Sequence, residues 1–115
     1  TAGGVIQALR EQGLAGKVPV AGQDAELAAA QRIVKGTQSM TVYKPIKALT
    51  EKAAQLAVAL AQGDNVDENQ KVNNGKIEVP SVLLSPIAVD QVNIDETIIA
   101  DGFHSSQDVY QKVKK

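Results

Sequence analysis

The sequence has no cysteine, no tryptophan and one histidine, His104, and its only other aromatic residues are Tyr43, Phe103 and Tyr110. The lack of cysteine excludes disulfides, thiolate metal sites and cysteine nucleophiles together. A lone histidine excludes a zinc site built from several imidazoles, and a site of stacked rings has little to work with. Charge of one sign is also missing. Twelve Lys and Arg stand against thirteen Asp and Glu, a formal net charge of −1. A nucleic-acid binder carries a basic surplus that displaces counterions from phosphates, so no nucleic-acid partner is expected. Nor is there a long apolar run. The longest clean stretch, Leu56 to Ala61, falls far short of the roughly 20 residues that span a bilayer. The first residues lack the basic region of a signal peptide, and a chain without an initiating Met reads as processed or as a fragment. No enzyme and no cofactor are expected from this inventory.

What remains is an ordinary globular composition, 43% hydrophobic and 22% charged over 115 residues, a length that suits one domain. Val5, Ile6 and Leu9 form a stripe that predicts a helix over 2–11, closed by Gly13. The short apolar run Val18-Pro19-Val20-Ala21 predicts a strand, and Gly22-Gln23-Asp24 a turn into the next helix. In that helix Leu27, Ala30, Ile33 and Val34 recur at helical spacing, with Asp24 as its N-cap and Gly36 just past its end. Ser39 to Lys44 is a β-branched and aromatic run stopped by Pro45. Ile46, Leu49, Ala53, Leu56, Ala57 and Leu60 predict a long Ala-rich helix up to Gly63, suited to packing on a flat sheet. The polar stretch 64–78, centred on Asn73-Asn74-Gly75, reads as an exposed loop or short ribbon. Strands are expected at 79–84 and 87–89, and short helices capped by Asn93 and near Ser105. Alternating helices and strands imply an α/β fold with a mainly parallel sheet.

By position alone Asp24 is a helix cap and Lys44 an exposed strand end. Each also follows a strand, and α/β sheets place ligand crevices beyond the carboxyl ends of their strands, so both side chains could reach one edge. A carboxylate and an ammonium there would offer a polar ligand an acceptor and a donor, since charge-assisted hydrogen bonds are the strong ones. Tyr43 reads either as a ring stacked on a ligand or as filler between its strand and a helix. Gly3-Gly4 lacks the spacing of a phosphate loop, and Asp64, Asp67 and Glu68 lack that of a calcium loop. His104 reads as a partly buried residue near the end of the chain.

Six runs are familiar. Thr1-Ala2-Gly3-Gly4-Val5-Ile6-Gln7-Ala8-Leu9 and Gly22-Gln23-Asp24-Ala25-Glu26 resemble the C-terminal part of type I periplasmic sugar-binding proteins. Gln38-Ser39-Met40-Thr41-Val42-Tyr43-Lys44-Pro45, Val72-Asn73-Asn74-Gly75-Lys76, Val79-Pro80-Ser81-Val82-Leu83-Leu84 and Asp101-Gly102-Phe103-His104 resemble the D-xylose-binding group of ABC transporters within them. The resemblance covers essentially the whole chain. It implies two lobes joined by three crossover strands and closing over a sugar, of which this chain holds an incomplete part. Residues 1–39 would then belong to the C-terminal lobe, 40–45 to a crossover, 46–81 to the N-terminal lobe, and 82–115 to a crossover and the return to the C-terminal lobe. It further implies that Asp24 and Lys44 bind D-xylose or a related pentose, that the sandwiching tryptophans lie elsewhere, and that the protein is periplasmic or extracytoplasmic. The implied partners are the N-terminal remainder of the receptor or a second copy of this chain, and an ABC permease or, in a sensing role, a histidine kinase. A repressor effector domain of the same fold is disfavoured, because no DNA-binding module is seen.

Overall fold

The computed structural model describes residues 1–111; the last four residues of the expected 82–115 segment lie outside them. The chain divides into two compact units, Thr1–Lys44 with the chain from Pro86 onward, and Pro45–Ser85.

In the first unit, α1 (Ala2–Glu11) ends where Leu14 N–H reaches back to the Leu9 carbonyl at 2.8 Å. Ile6 is its buried residue, whereas Val5 of the expected stripe stays exposed. Strand β1 is Ala21–Gln23, three residues later than the apolar run predicts. The reason lies in the backbone donors. Pro19 has none, and the Val20 N–H is taken by the Ser39 hydroxyl at 3.2 Å, so the ladder begins only at Ala21 opposite Met40. Helix α2 (Leu27–Val34) closes on Gly36, whose φ of 73° lets the Thr37 N–H bond to the Arg32 carbonyl at 2.9 Å. Asp24 is not its cap. Glu26 holds that position without a side-chain bond, and the Asp24 backbone has turned the other way, as described below.

Strand β2 (Met40–Tyr43) pairs in parallel with β1 and antiparallel with β5 (Ile87–Val89), giving the order β1-β2-β5. The alternation of helices and strands predicted mainly parallel pairing. Here one pair is parallel and the next antiparallel, because β5 follows the return from the 45–85 excursion rather than a helical crossover. Along β2 the period-2 pattern holds, with Thr41 and Tyr43 buried between half-buried neighbours. The core on that face gathers Ala25, Ala30, Ile33, Tyr43, Val89, Ile94, Ile98 and Val109, with Phe103 packed against it. Ile94 and Ile98 pack into the core from a π-helical turn at Asp95–Ile99, which no side chain caps; Asp90 accepts from the N–H groups of Val92 and Asn93 in the turn before it. The Asn93 side chain instead bonds Asp90 N–H and the Ala88 carbonyl. Helix α4 (Ser106–Tyr110) forms where a short helix is expected and is capped by Ser105, and Gln31 of α2 donates to the Asp108 carbonyl at 2.9 Å.

In the second unit, α3 (Ile46–Gln62) has the expected bounds but buries none of its residues. Ile46, Leu49, Val58 and Leu60 are 51–66% exposed, so the flat partner expected for this helix is not among the described residues. Strands β3 (Gln70–Asn73) and β4 (Glu78–Ser81) form an antiparallel ribbon. Its loop is held by Asn74, whose side-chain oxygen accepts from the N–H groups of Lys76 and Ile77 at 3.0 Å. A two-stranded ribbon is all edge, which is why Pro80 is tolerated in β4.

Two outcomes follow for stability. A Cβ on Gly22 would lie 2.6 Å from Gln38 Nε2, and that amide cannot swing away: Gln38 is buried, accepts from Arg32 Nε at 2.9 Å and donates to the Met40 carbonyl at 3.0 Å. Gly22→Ala is expected to cost about 1–3 kcal/mol by overpacking, while Gly4→Ala, a helical position with nothing within 4 Å, is neutral or stabilising by up to about 1 kcal/mol; urea midpoints compare the two. Burial pushes the Tyr43 hydroxyl above its ordinary value of 10.0, and a hydrogen bond to Asp101 and its charge act in the same direction. The unfolded chain therefore loses this proton first, so the contribution is complete below pH 10.0 and fades as pH rises through the higher folded value. Tyr43→Phe should flatten that alkaline loss in denaturation midpoints, leaving the part due to Tyr110, which burial and Asp95 raise in the same way.

Candidate functional site

The parallel pairing of β1 and β2 brings two strand ends to one edge of the sheet. Asp24 follows the last residue of β1 and Lys44 the last residue of β2, and the register Gln23↔Val42 puts Lys44 one residue beyond the position opposite Asp24. Lys44 Nζ lies 2.6 Å from Asp24 Oδ1, with the two side chains 53% and 60% exposed. An ion pair this open to water contributes at most about 1 kcal/mol to stability. Its chemical interest lies elsewhere: it offers solvent a fixed anionic acceptor beside a fixed cationic donor.

The backbone that carries Asp24 is unusual. Asp24 has φ 75° and Ala25 φ 48°, two successive non-glycine residues in the left-handed region. Such geometry costs roughly 1–2 kcal/mol per residue, less for Asp, which tolerates it better than Ala. Three bonds offset that cost. Asp24 N–H donates to the Val42 carbonyl at 2.8 Å, which extends the parallel ladder by one rung. Ala25 N–H donates to Thr41 Oγ1 at 3.2 Å, and the fully buried Thr41 keeps that hydroxyl out of water's reach. His104 Nε2 lies 2.8 Å from the Ala25 carbonyl, and because a carbonyl only accepts, this nitrogen carries the proton. The Ala25 methyl is fully buried in the core, which anchors the turn from below.

Beside the turn lies a concave surface of about 700 Å³ whose lining includes Thr1, Gly22, Gln23, Asp24, Arg32 and Gln38. Lys44 is not part of that lining; it meets Asp24 from the strand side. Arg32 and Gln38 are tied to each other, and no buried side-chain nitrogen or oxygen among the described residues lacks a hydrogen-bond partner. Tyr43, the candidate for stacking on a sugar, is buried with its ring centre 5.0 Å from that of Phe103, and so serves the core. Gly3 sits against the Arg32 guanidinium, 3.4 Å from where its Cβ would be, a packing role. Among the described residues no three His, Asp or Glu side chains gather where they could hold a metal ion.

Sequence reasoning picked out Asp24 and Lys44, and the structure brings them together. It missed Thr41 and the His104 bond to Ala25, and it could not see the left-handed turn, since Ala25 is not of a residue type enriched there.

Comparison with known proteins adds a second line. Residues 1–65 match the family described as periplasmic binding protein domain. The D-xylose-binding periplasmic protein of Haemophilus influenzae is 57% identical over 110 residues, which cover 96% of this chain and 33% of that protein. The protein of the same name from Escherichia coli is 53% identical over 109 residues, 95% of this chain and 33% of its own length. The chain thus spans about a third of the length of these curated relatives. Among solved structures, a carbohydrate transporter solute-binding protein from Chloroflexus aurantiacus in complex with D-glucose superposes with a TM-score of 0.72 at 39% identity, covering 77% of this chain and 26% of that one. An ABC transporter solute-binding protein from Clostridium phytofermentans with bound β-D-glucose gives 0.71 at 28% identity, covering 78% of this chain and 28% of that one.

Thr41→Val keeps the shape of the side chain but leaves the Ala25 N–H without its acceptor. It is expected to destabilise the protein by about 1–3 kcal/mol in chemical denaturation, more than the same exchange at the exposed Thr50, whose hydroxyl bonds only within its own helix.

Proposed function

The chain belongs to the periplasmic binding protein domain family, and on that premise we propose that it is part of a receptor that captures D-xylose or a related pentose for an ABC permease. The observation that carries the proposal is the open Asp24–Lys44 pair, held at the carboxyl edge of a parallel strand pair. A carboxylate accepts from two sugar hydroxyls and an ammonium donates to their oxygens, while the ligand trades places with water at little cost in protein–protein contacts. The pentose preference rests on the two relatives named for D-xylose, which are more than half identical over nearly the whole chain. This is a binding role, with no bond of the sugar made or broken, in an extracytoplasmic compartment like that of the named relatives.

The division of the chain supports a placement of its parts. The unit of Thr1–Lys44 with the chain from Pro86 onward is proposed as a portion of the C-terminal lobe, and Pro45–Ser85 as a portion of the N-terminal lobe, with 40–45 and the strand after Pro86 as crossovers. The exposed apolar side chains of α3 support a covering by the remainder of the receptor. Sugar that touches both lobes only when they are closed would favour the closed form by its differential affinity, and that form is what a permease would read.

In the full-length receptor, Asp24→Ala is expected to weaken D-xylose binding in calorimetry by about 1–3 kcal/mol, roughly five- to 150-fold, with a small fall in melting temperature because Ala tolerates the φ of 75° less well and the pair with Lys44 is lost. Wild-type affinity in that variant would remove Asp24 from the site.

A further inference from the structure

His104 stands 79 residues from Ala25 in sequence, yet its Nε2 bonds the Ala25 carbonyl at 2.8 Å. Its ring is in turn set by its neighbours. The Phe103 ring lies 4.5 Å from the His104 ring and 5.0 Å from that of Tyr43, a residue of β2. The backbone N–H groups of both Phe103 and His104 converge on the carbonyl of the buried Ile98, at 3.0 and 3.2 Å. The imidazole is therefore a fixed donor aimed at the peptide bond that follows Ala25, within the strained turn whose preceding residue, Asp24, pairs with Lys44.

We propose that His104 is a positioning residue for ligand binding: its Nε2–H holds the left-handed turn in the one geometry that presents the Asp24 carboxylate to a sugar hydroxyl. This rests on the sugar-site reading of Asp24 given above. Ala25 has no side-chain polar group to stabilise its own φ of 48°, so the turn depends on bonds from outside it. Thr41 holds the N–H side of Ala25 and His104 the carbonyl side. Without the second bond the carbonyl of Ala25 loses its anchor, the strained φ of Ala25 can relax, and the carboxylate one residue away shifts from the position in which it meets the ligand. His104 touches no ligand in this scheme and acts only through Asp24.

The test is a double-mutant cycle in the full-length receptor, with D-xylose affinity from calorimetry and melting temperatures read for every variant. His104→Phe fills the space without a donor, and His104→Gln restores an N–H. The expected result is a loss of roughly five- to tenfold for His104→Phe, the worth of about one hydrogen bond, largely rescued by His104→Gln. In the Asp24→Ala background the same His104→Phe change should have little further effect, which a purely structural role would not produce. Multiplying losses in the double variant, or equal losses for Phe and Gln that follow melting temperature, would overturn the positioning role while leaving the site intact. Wild-type affinity in Asp24→Ala would overturn the site reading and this inference with it. If His104→Phe does not fold, the wild-type ¹⁵N spectrum above neutral pH decides: protonated Nε2 with bare Nδ1 agrees, and the opposite tautomer removes the donor and overturns the proposal.

Discussion

The parallel pairing of two very short strands is the constraint on which the rest of the first unit depends. Strand β1 has only three residues, and three rungs of ladder would be a weak hold by themselves. What makes the pairing firm is that its hydrogen bonds continue past the strand, through Asp24 N–H to Val42 and Ala25 N–H to Thr41, into a turn whose methyl group is sunk in the core. Register, turn and helix entry are thus one cooperative piece. Shifting β2 by one residue would exchange the buried Thr41 and Tyr43 for Val42 and Lys44, leaving an ammonium in the core and the Ala25 N–H without its acceptor. That exchange is costly enough to specify the register without long strands.

Much of the fold was legible because the residues that make it act locally. Helices α1 and α3 start and stop where periodicity and the following Gly placed them, and Ser105 caps α4 through the Asp108 N–H. The errors came where a distant group competed for a local one. The strand after Pro19 starts late because Ser39 claims the Val20 N–H, and Asn93 caps no helix because its side chain is spent on the Asp90 N–H and the Ala88 carbonyl. Asp24 carried the same ambiguity in sharper form. A carboxylate ahead of a helical run is the ordinary mark of an N-cap, and only the opposite strand, through Val42 and Thr41, turns its backbone the other way. The pair Asp24 and Lys44 was readable as two strand ends, but the contacts of Thr41 and His104 that fix it span 16 and 79 residues, beyond any local pattern.

The two units differ in how they hold themselves. The first has a common core drawn from α2, β2, β5, the π-helical turn and α4. The second is a bare amphipathic helix and a ribbon whose strand residues are mostly exposed. Its order is local in origin: Asn69 bonds both backbone groups of Leu83, and Asn73 and Asn74 hold the loop between the strands. Side-chain amides therefore do for the ribbon what apolar burial does for the first unit. That division matches the sequence, in which 64–78 is polar and almost without large apolar residues.

The π-helical turn at Asp95–Ile99 has a consequence for how this chain can change in length. Its wide hydrogen bonds, from Ile99 to Ile94 and Ala100 to Asp95, accommodate one residue more per turn than an α-helix would. Removing that residue would regularise the turn, but it would also rotate everything after it by about a quarter of a helical turn, carrying Phe103 and His104 away from Tyr43 and Ala25. Insertions in the ribbon loop at 74–77 meet no such penalty. The ribbon loop can therefore change in length, while the count of residues between Ile94 and His104 is held by the bond that His104 makes to Ala25, near the other end of the chain.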